Sequence, residues 1–106
     1  MTDGDLDLIF AALSDPTRRA LLAQLTRGSA TVNELAAPYE MSIPSISRHL
    51  ATLERAGLVV KSVDAQWRRC SLDAAPLHRV DAWLTPYRHF FESRLDRLEN
   101  YLEETE

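Results

Sequence analysis

Between Ser42 and Val60, apolar residues fall at Ile43, Ile46, Leu50 and Leu53, the period of a helix buried along one stripe. The opposite face holds Pro44, Ser45, Ser47, Arg48, Ala51 and Thr52, with His49 at the stripe's edge. A face meant only for water would favour Glu and Lys, because serines compete with the helix for backbone hydrogen bonds. Short hydroxylated side chains around one guanidinium suit close approach to the major groove of DNA instead. Ser42 can cap the N-terminus, Pro44 is tolerated in the first turn and Gly57 offers a left-handed stop. The predicted span is about 13 residues, roughly four turns.

The flanking pattern supplies the neighbours of this helix. Residues 1–4 are expected to fray, and Leu6, Ile9, Phe10 and Leu13 then mark a short amphipathic helix with acids in its first turn. Asp15 and Pro16 read as a cap and first helical residue, opening a second helix that holds Leu21, Leu22 and Leu25 and ends at Gly28. Thr31 and Glu34 have capping-box spacing, so a third helix begins at Val32 and buries Leu35 and Ala36. Pro38 to Met41 turns the chain into Ser42, giving helix, short turn, helix.

After Gly57, the β-branched run Leu58 to Val63, a turn at Asp64-Ala65-Gln66 and the return from Trp67 to Leu72 predict a hairpin. Trp67 is expected to fold over its own sheet in preference to packing against DNA sugar. A last stripe runs Leu77, Val80, Leu84, Tyr87, Phe91, Leu95, Leu98 and Leu102, widened by Trp83, Phe90 and Tyr101. Thr85-Pro86 makes it either one helix kinked near Thr85 or two helices joined there. A stripe so long and aromatic exceeds what a domain of this size covers by itself, so it should meet a second copy of the chain.

The net charge of −4 argues at first against a polyanion partner. Its distribution reverses that: Asp15 to Asp73 holds eight Arg or Lys against six Asp or Glu, and both flanks are acidic. Eleven of the twelve cations are Arg, whose planar fork suits phosphate and guanine. The single cysteine, Cys70, excludes an internal disulfide framework and a Cys-pair zinc site, and within an alternating strand it reads as a small buried residue. A membrane-length apolar run and a charged-then-apolar leader are both absent from the sequence, so a cytoplasmic location is expected. Ser45 and His49 stand one helical turn apart, yet the third group and oxyanion pocket of a nucleophilic site are not legible, and the chain is not read as an enzyme.

The run SISRHLATLERAGLV, the phrase ALSDPTRRALLAQL and the terminal PLHRVDAWLTPYRHFFESRLDRL resemble ArsR/SmtB-type winged helix-turn-helix regulators. The last phrase is similar to the SdpR-like subgroup, which lacks the cysteine-rich metal motif. The resemblance implies a mainly α fold with a small β-hairpin wing, one domain over 1–106, a DNA-binding core at 15–73 with its wing near 58–72, and dimerisation helices at 5–14 and 74–104. It implies a groove set of Ser42, Pro44, Ser45, Ser47, Arg48 and His49. Thr31 and Asn33 would lie near phosphates, with Gln66, Arg68 and Arg69 on the wing. It further implies a homodimer interface of Leu6, Ile9, Phe10, Leu13, Leu84, Tyr87, Phe91, Leu95, Leu98 and Leu102.

Metal-sensing relatives carry cysteines in the third helix, where this chain reads ELAAPYEMS. His78, His89 and Glu92 match a last-helix metal motif at three of its four places, but Pro76 stands where an acid is required and the set falls two residues late. Metal and cofactor are therefore not expected. The expected function is a sequence-specific, homodimeric repressor of an inverted repeat in double-stranded DNA. The alternatives are a helical protein-interaction module without specific DNA binding and a metal-responsive activator.

Overall fold

The computed structural model describes residues 3–104. Its elements are α1 (Asp3–Leu13), α2 (Pro16–Leu25), α3 (Val32–Ala36), α4 (Ile43–Arg55), the strands β1 (Val59–Asp64) and β2 (Trp67–Leu72), α5 (Ala75–Trp83) and α6 (Thr85–Glu104). Of the four residues expected to fray, Met1 and Thr2 lie outside the described residues, while Asp3 and Gly4 are already helical. Acids at a helix start are favoured by its dipole.

The starts of α2, α3 and α4 follow their sequence signals. Asp15 caps α2 by accepting the Arg18 N–H, Thr31 and Glu34 close the capping box of α3, and the Ser42 hydroxyl accepts the Ser45 N–H at the head of α4. The ends are less legible. α2 stops at Leu25, and the chain tightens into i,i+3 turns, Arg27 N to Gln24 O at 3.1 Å and Gly28 N to Leu25 O at 3.2 Å, before Gly28 takes φ +138°. Gly57, at φ +79°, ends α4 in the left-handed region, and a Cβ there would meet Pro76 Cγ at 3.4 Å.

The core lies among α2, α3, α4 and the base of the hairpin, with Leu21, Leu25, Leu35, Ile46, Leu50, Leu53, Leu58, Val59 and Cys70 buried. Burying such side chains contributes about 1.5–3 kcal/mol apiece. Two expectations fail here. Ile43, the first residue of the stripe, is 44 % exposed, since the stripe rotates away from the core at the first turn. Ile9, expected at a dimer interface, is instead 1 % exposed within the protomer, while Leu13 is partly buried and packs against the core.

β1 and β2 pair antiparallel from Val59–Leu72 to Asp64–Trp67, which leaves a two-residue loop of Ala65 and Gln66 rather than the three-residue turn read from the sequence. Ala65 takes φ +54°, the left-handed value that tight hairpin turns demand. The last stripe resolves into two helices with Leu84 between them. α5 packs on α1 through Phe10 and Trp83, whose ring centroids lie 5.1 Å apart edge to face, and through Arg79 and Asp5 at 3.9 Å. α6 buries none of its residues and draws the longest dimension out to 63 Å.

Candidate nucleic-acid interface

α4 is held by three buried leucine and isoleucine side chains on one side, so its outer face is set by the core behind it. On that face a line of side-chain hydrogen bonds follows the helix. Ser42 Oγ donates to Ser45 Oγ at 2.9 Å, and Arg48 Nη2 donates to the same Ser45 oxygen at 3.1 Å. One turn on, Arg55 Nη2 donates to Thr52 Oγ1 at 3.3 Å. Arg48 is exposed and Ser45 and Ser47 are half-buried, so a guanidinium stands above a floor of hydroxyls. These bonds pre-order a fork that can be turned to base edges or phosphate.

The turn that presents α4 is also anchored. Tyr39 Oη donates to Gln24 Oε1 at 2.7 Å, while Gln24 Nε2 donates to the Leu35 carbonyl at 3.3 Å, pinning the α3–α4 connection to α2. Burial raises the Tyr39 phenol above its usual value, which keeps it a donor. Sequence reading missed this pair because neither residue belongs to a periodic stripe.

Beside α4, the α3 N-terminus and the hairpin enclose a shallow cleft of about 300 Å³ lined by Thr31, Asn33, Glu34, Trp67 and Arg69. Trp67 is 58 % exposed and lines this cleft together with Arg69 of its own strand. Arg69 is not a tip residue. Its Nε and Nη2 donate to Ser29 Oγ and to the Ser29 carbonyl at 3.1 and 3.0 Å, and Nη1 lies 3.8 Å from Glu34. Gln66 and Arg68 remain exposed at the loop and on the strand beside it. The Thr31 hydroxyl accepts the Glu34 N–H, and Glu34 in turn accepts the Thr31 N–H, the main reason its carboxyl is held below the usual range.

His49, expected in the groove set, is turned inward instead, with Nδ1 3.3 Å from Arg18 Nη1 and 3.9 Å from Asp15 Oδ2. Its place at the edge of the apolar stripe rotates it toward α2. Asp15 and Arg18 went unnoticed as site residues, although their i, i+3 spacing at a helix start is the signal that pairs them. His78 and His89 are exposed, and among the described residues no three His, Cys, Asp or Glu side chains gather as a metal site within the protomer. The segment ELAAPYEMS on and after α3 contains neither cysteine nor histidine.

Residues 13–62, from the end of α1 into β1, match the helix-turn-helix domain family. The transcriptional repressor SdpR of Bacillus subtilis is 36 % identical over 76 residues, which span 72 % of this chain and 84 % of that protein. A crystal structure of an ArsR family transcriptional regulator superposes with a TM-score of 0.78 at 41 % identity, covering 88 % of this chain and 96 % of the other. The chain belongs to the ArsR family. Another member of similar shape is an ArsR-like transcriptional regulator from Rhodococcus sp. RHA1, with a TM-score of 0.73, 29 % identity and 92 % coverage of both chains. As an ArsR regulator it is a helix-turn-helix DNA-binding protein with α3 and α4 as the two helices of the motif and β1–β2 as the wing. None of the described helices is long and apolar enough to cross a membrane.

Proposed function

We propose that this protein is a homodimeric repressor that binds an inverted repeat, with α4 of each protomer in successive major grooves about 34 Å apart. The observation that carries the reading is the outer face of α4, where Ser42, Ser45 and Arg48 form one hydrogen-bonded line without an acid among them. Ser42, Pro44, Ser45, Ser47 and Arg48 would meet the groove. Thr31, Asn33 and the wing residues Gln66 and Arg68 would meet the backbone, where contacts orient the protein and read little sequence. Arg69 and His49 act from behind, holding the wing and α4 in place.

The dimer surface is drawn from α5 and α6, with Phe10 and Leu6 of α1 at its edge. Tyr87, Phe91, Leu95, Leu98 and Leu102 are each about half exposed along one face of α6, a continuous apolar stripe of the kind that marks an interaction surface. Domain assignments follow: 15–73 reads DNA, and 74–104 pairs the copies. The name of the similar protein SdpR supports repression, which would follow from covering promoter DNA in the cytoplasm.

Selection of bound sequences from random duplex DNA, run beside Arg48→Ala, tests the proposal. Enrichment of an inverted repeat that the variant loses supports it. An intact dimer that enriches nothing would turn the serine-rich face into a docking surface for protein.

A further inference from the structure

Three elements meet at the guanidinium of Arg18. Nε donates to the Ala12 carbonyl at 2.6 Å and Nη2 to the Ala11 carbonyl at 3.0 Å, so two of its nitrogens are fixed on the last turn of α1. The remaining nitrogen, Nη1, lies 3.3 Å from Nδ1 of His49 in the middle of α4. Arginine has donors only, so a hydrogen bond between the two needs Nδ1 as acceptor and the ring proton on Nε2. Asp15 Oδ2 stands 3.9 Å from the same Nδ1 while it accepts the Arg18 N–H at 3.0 Å as the cap of α2.

We propose that Arg18 and His49 are a positioning pair that ties α4 to the end of α1 while Nδ1 of His49 is unprotonated, and that protonation opens the pair and weakens operator binding. The inference rests on the DNA-binding reading above and adds a proton dependence to it. A proton on Nδ1 turns the acceptor into a donor and sets a second positive charge 3.3 Å from a guanidinium that two carbonyls hold in place. The ring then has Asp15 as its nearest partner, and reaching it draws on the carboxylate that caps α2. Imidazole is the side chain whose charge changes between about pH 5 and 8.

The surrounding charges leave this contest to Arg18 and Asp15, since the neighbouring Arg19 of α2 is held on the Leu13 carbonyl at 2.7 Å. The end of α1, from Phe10 to Ser14, has no ionisable side chain. Glu34 of α3 is engaged by Thr31 and Arg69, and Lys61 of β1 lies 4.0 Å from Glu54. On α4 itself, Arg48 is turned outward to Ser45. Since α1 is joined to α5 through Phe10–Trp83 and Asp5–Arg79, the pair links the proposed dimer scaffold to the helix that reads DNA.

The sign of the effect separates this role from a direct contact. Acidification adds positive charge and ordinarily strengthens binding to a polyanion, as would a His49 that touches phosphate. The positioning pair gives the opposite. Fluorescence anisotropy of the intact protein on a duplex recovered by selection, at constant salt from about pH 8 to about pH 5.5, should show wild-type affinity falling roughly tenfold. His49→Gln, which does not titrate and still offers an acceptor to Arg18, should bind tightly throughout. Wild-type affinity that is flat or rises on acidification, or the same loss in His49→Gln, overturns the proposal. Imidazole nitrogen NMR of the DNA-free protein tests the pair even if operator binding fails: near pH 8 His49 should hold its proton on Nε2, and Arg18→Gln should disturb that preference. A His49 with its proton on Nδ1 under those conditions overturns it.

Discussion

Ala30 and Cys70 exchange both of their backbone hydrogen bonds, Ala30 N to Cys70 O at 3.0 Å and Cys70 N to Ala30 O at 2.7 Å. This isolated bridge ties the segment before α3 to the inner strand of the wing, so the hairpin is not free to swing as the α3–α4 unit docks. It also seals the Cys70 side chain, 1 % exposed, into the core.

Burial pushes the Cys70 thiol above its ordinary value. The folded state therefore keeps its proton where the unfolded chain has lost it, and stability should fall as pH rises past the usual thiol range, about 8.5. Urea titrations at increasing alkaline pH should show this decline in the wild type and a weaker one in Cys70→Ala. Thiol-reactive dyes should label the native protein only as fast as it opens.

Arg48 and Arg68 should separate reading from holding. Arg48→Ala should cost roughly 1–3 kcal/mol on the selected duplex and relax preference at one base position. Arg68→Ala should weaken all sequences alike and lower the steepness of the salt dependence by about one ion. Arg69→Ala is the less clean probe, because losing its bonds to Ser29 and Glu34 also loosens the wing.

Thr31→Ala removes one half of the capping box and should cost about 1 kcal/mol in denaturant unfolding. The other half has a pH signature. Glu34 is held below the usual carboxyl range mainly by the Thr31 N–H, so its contribution is complete at neutral pH and is lost as pH falls through the lowered value. Glu34→Gln should lack that portion of the acid-side decline.

Leu98→Glu on α6 should convert a dimer to a monomer in analytical ultracentrifugation while near-native helix signal from the DNA-binding core persists. Leu98 is 53 % exposed in the protomer and supports no intramolecular core. An unchanged dimer would move the interface off this face.

Ala65→Gly should raise stability by about 0.5–1 kcal/mol in thermal or urea unfolding, since alanine bears a steric cost at φ +54° that glycine escapes.

The helices and hairpin were legible because their signals are local: Asp15-Pro16, the Thr31–Glu34 box and Ser42 announce starts that need no tertiary partner. The serine face around Arg48 was legible for the same reason, since one helix determines it. What escaped were relations between elements. His49 looked like a groove residue until α2 brought Arg18 beside it, Ile9 looked like a dimer residue until the core closed over it, and Arg69 looked like a wing tip until Ser29 and Glu34 met it. The count of central arginines likewise overstated the charge at hand. Arg18 and Arg19 are engaged by carbonyls at the end of α1, while Arg48 and Arg55 on α4 and Arg68 on β2 remain exposed.

α6 is twenty residues long and buries none of them in its own protomer, so contacts such as Trp83–Tyr87 and Asp81–Arg88 offset only part of the entropy of ordering it. In the proposed dimer this helix is stabilised by mass action, through the second copy that covers the stripe. Diluting the protein should therefore melt this helix and separate the two reading heads together. Operator occupancy would then rise with roughly the square of protomer concentration at low abundance. A regulator built this way switches over a narrow range of its own supply, and a modest change in its synthesis or degradation becomes a sharper change in promoter coverage.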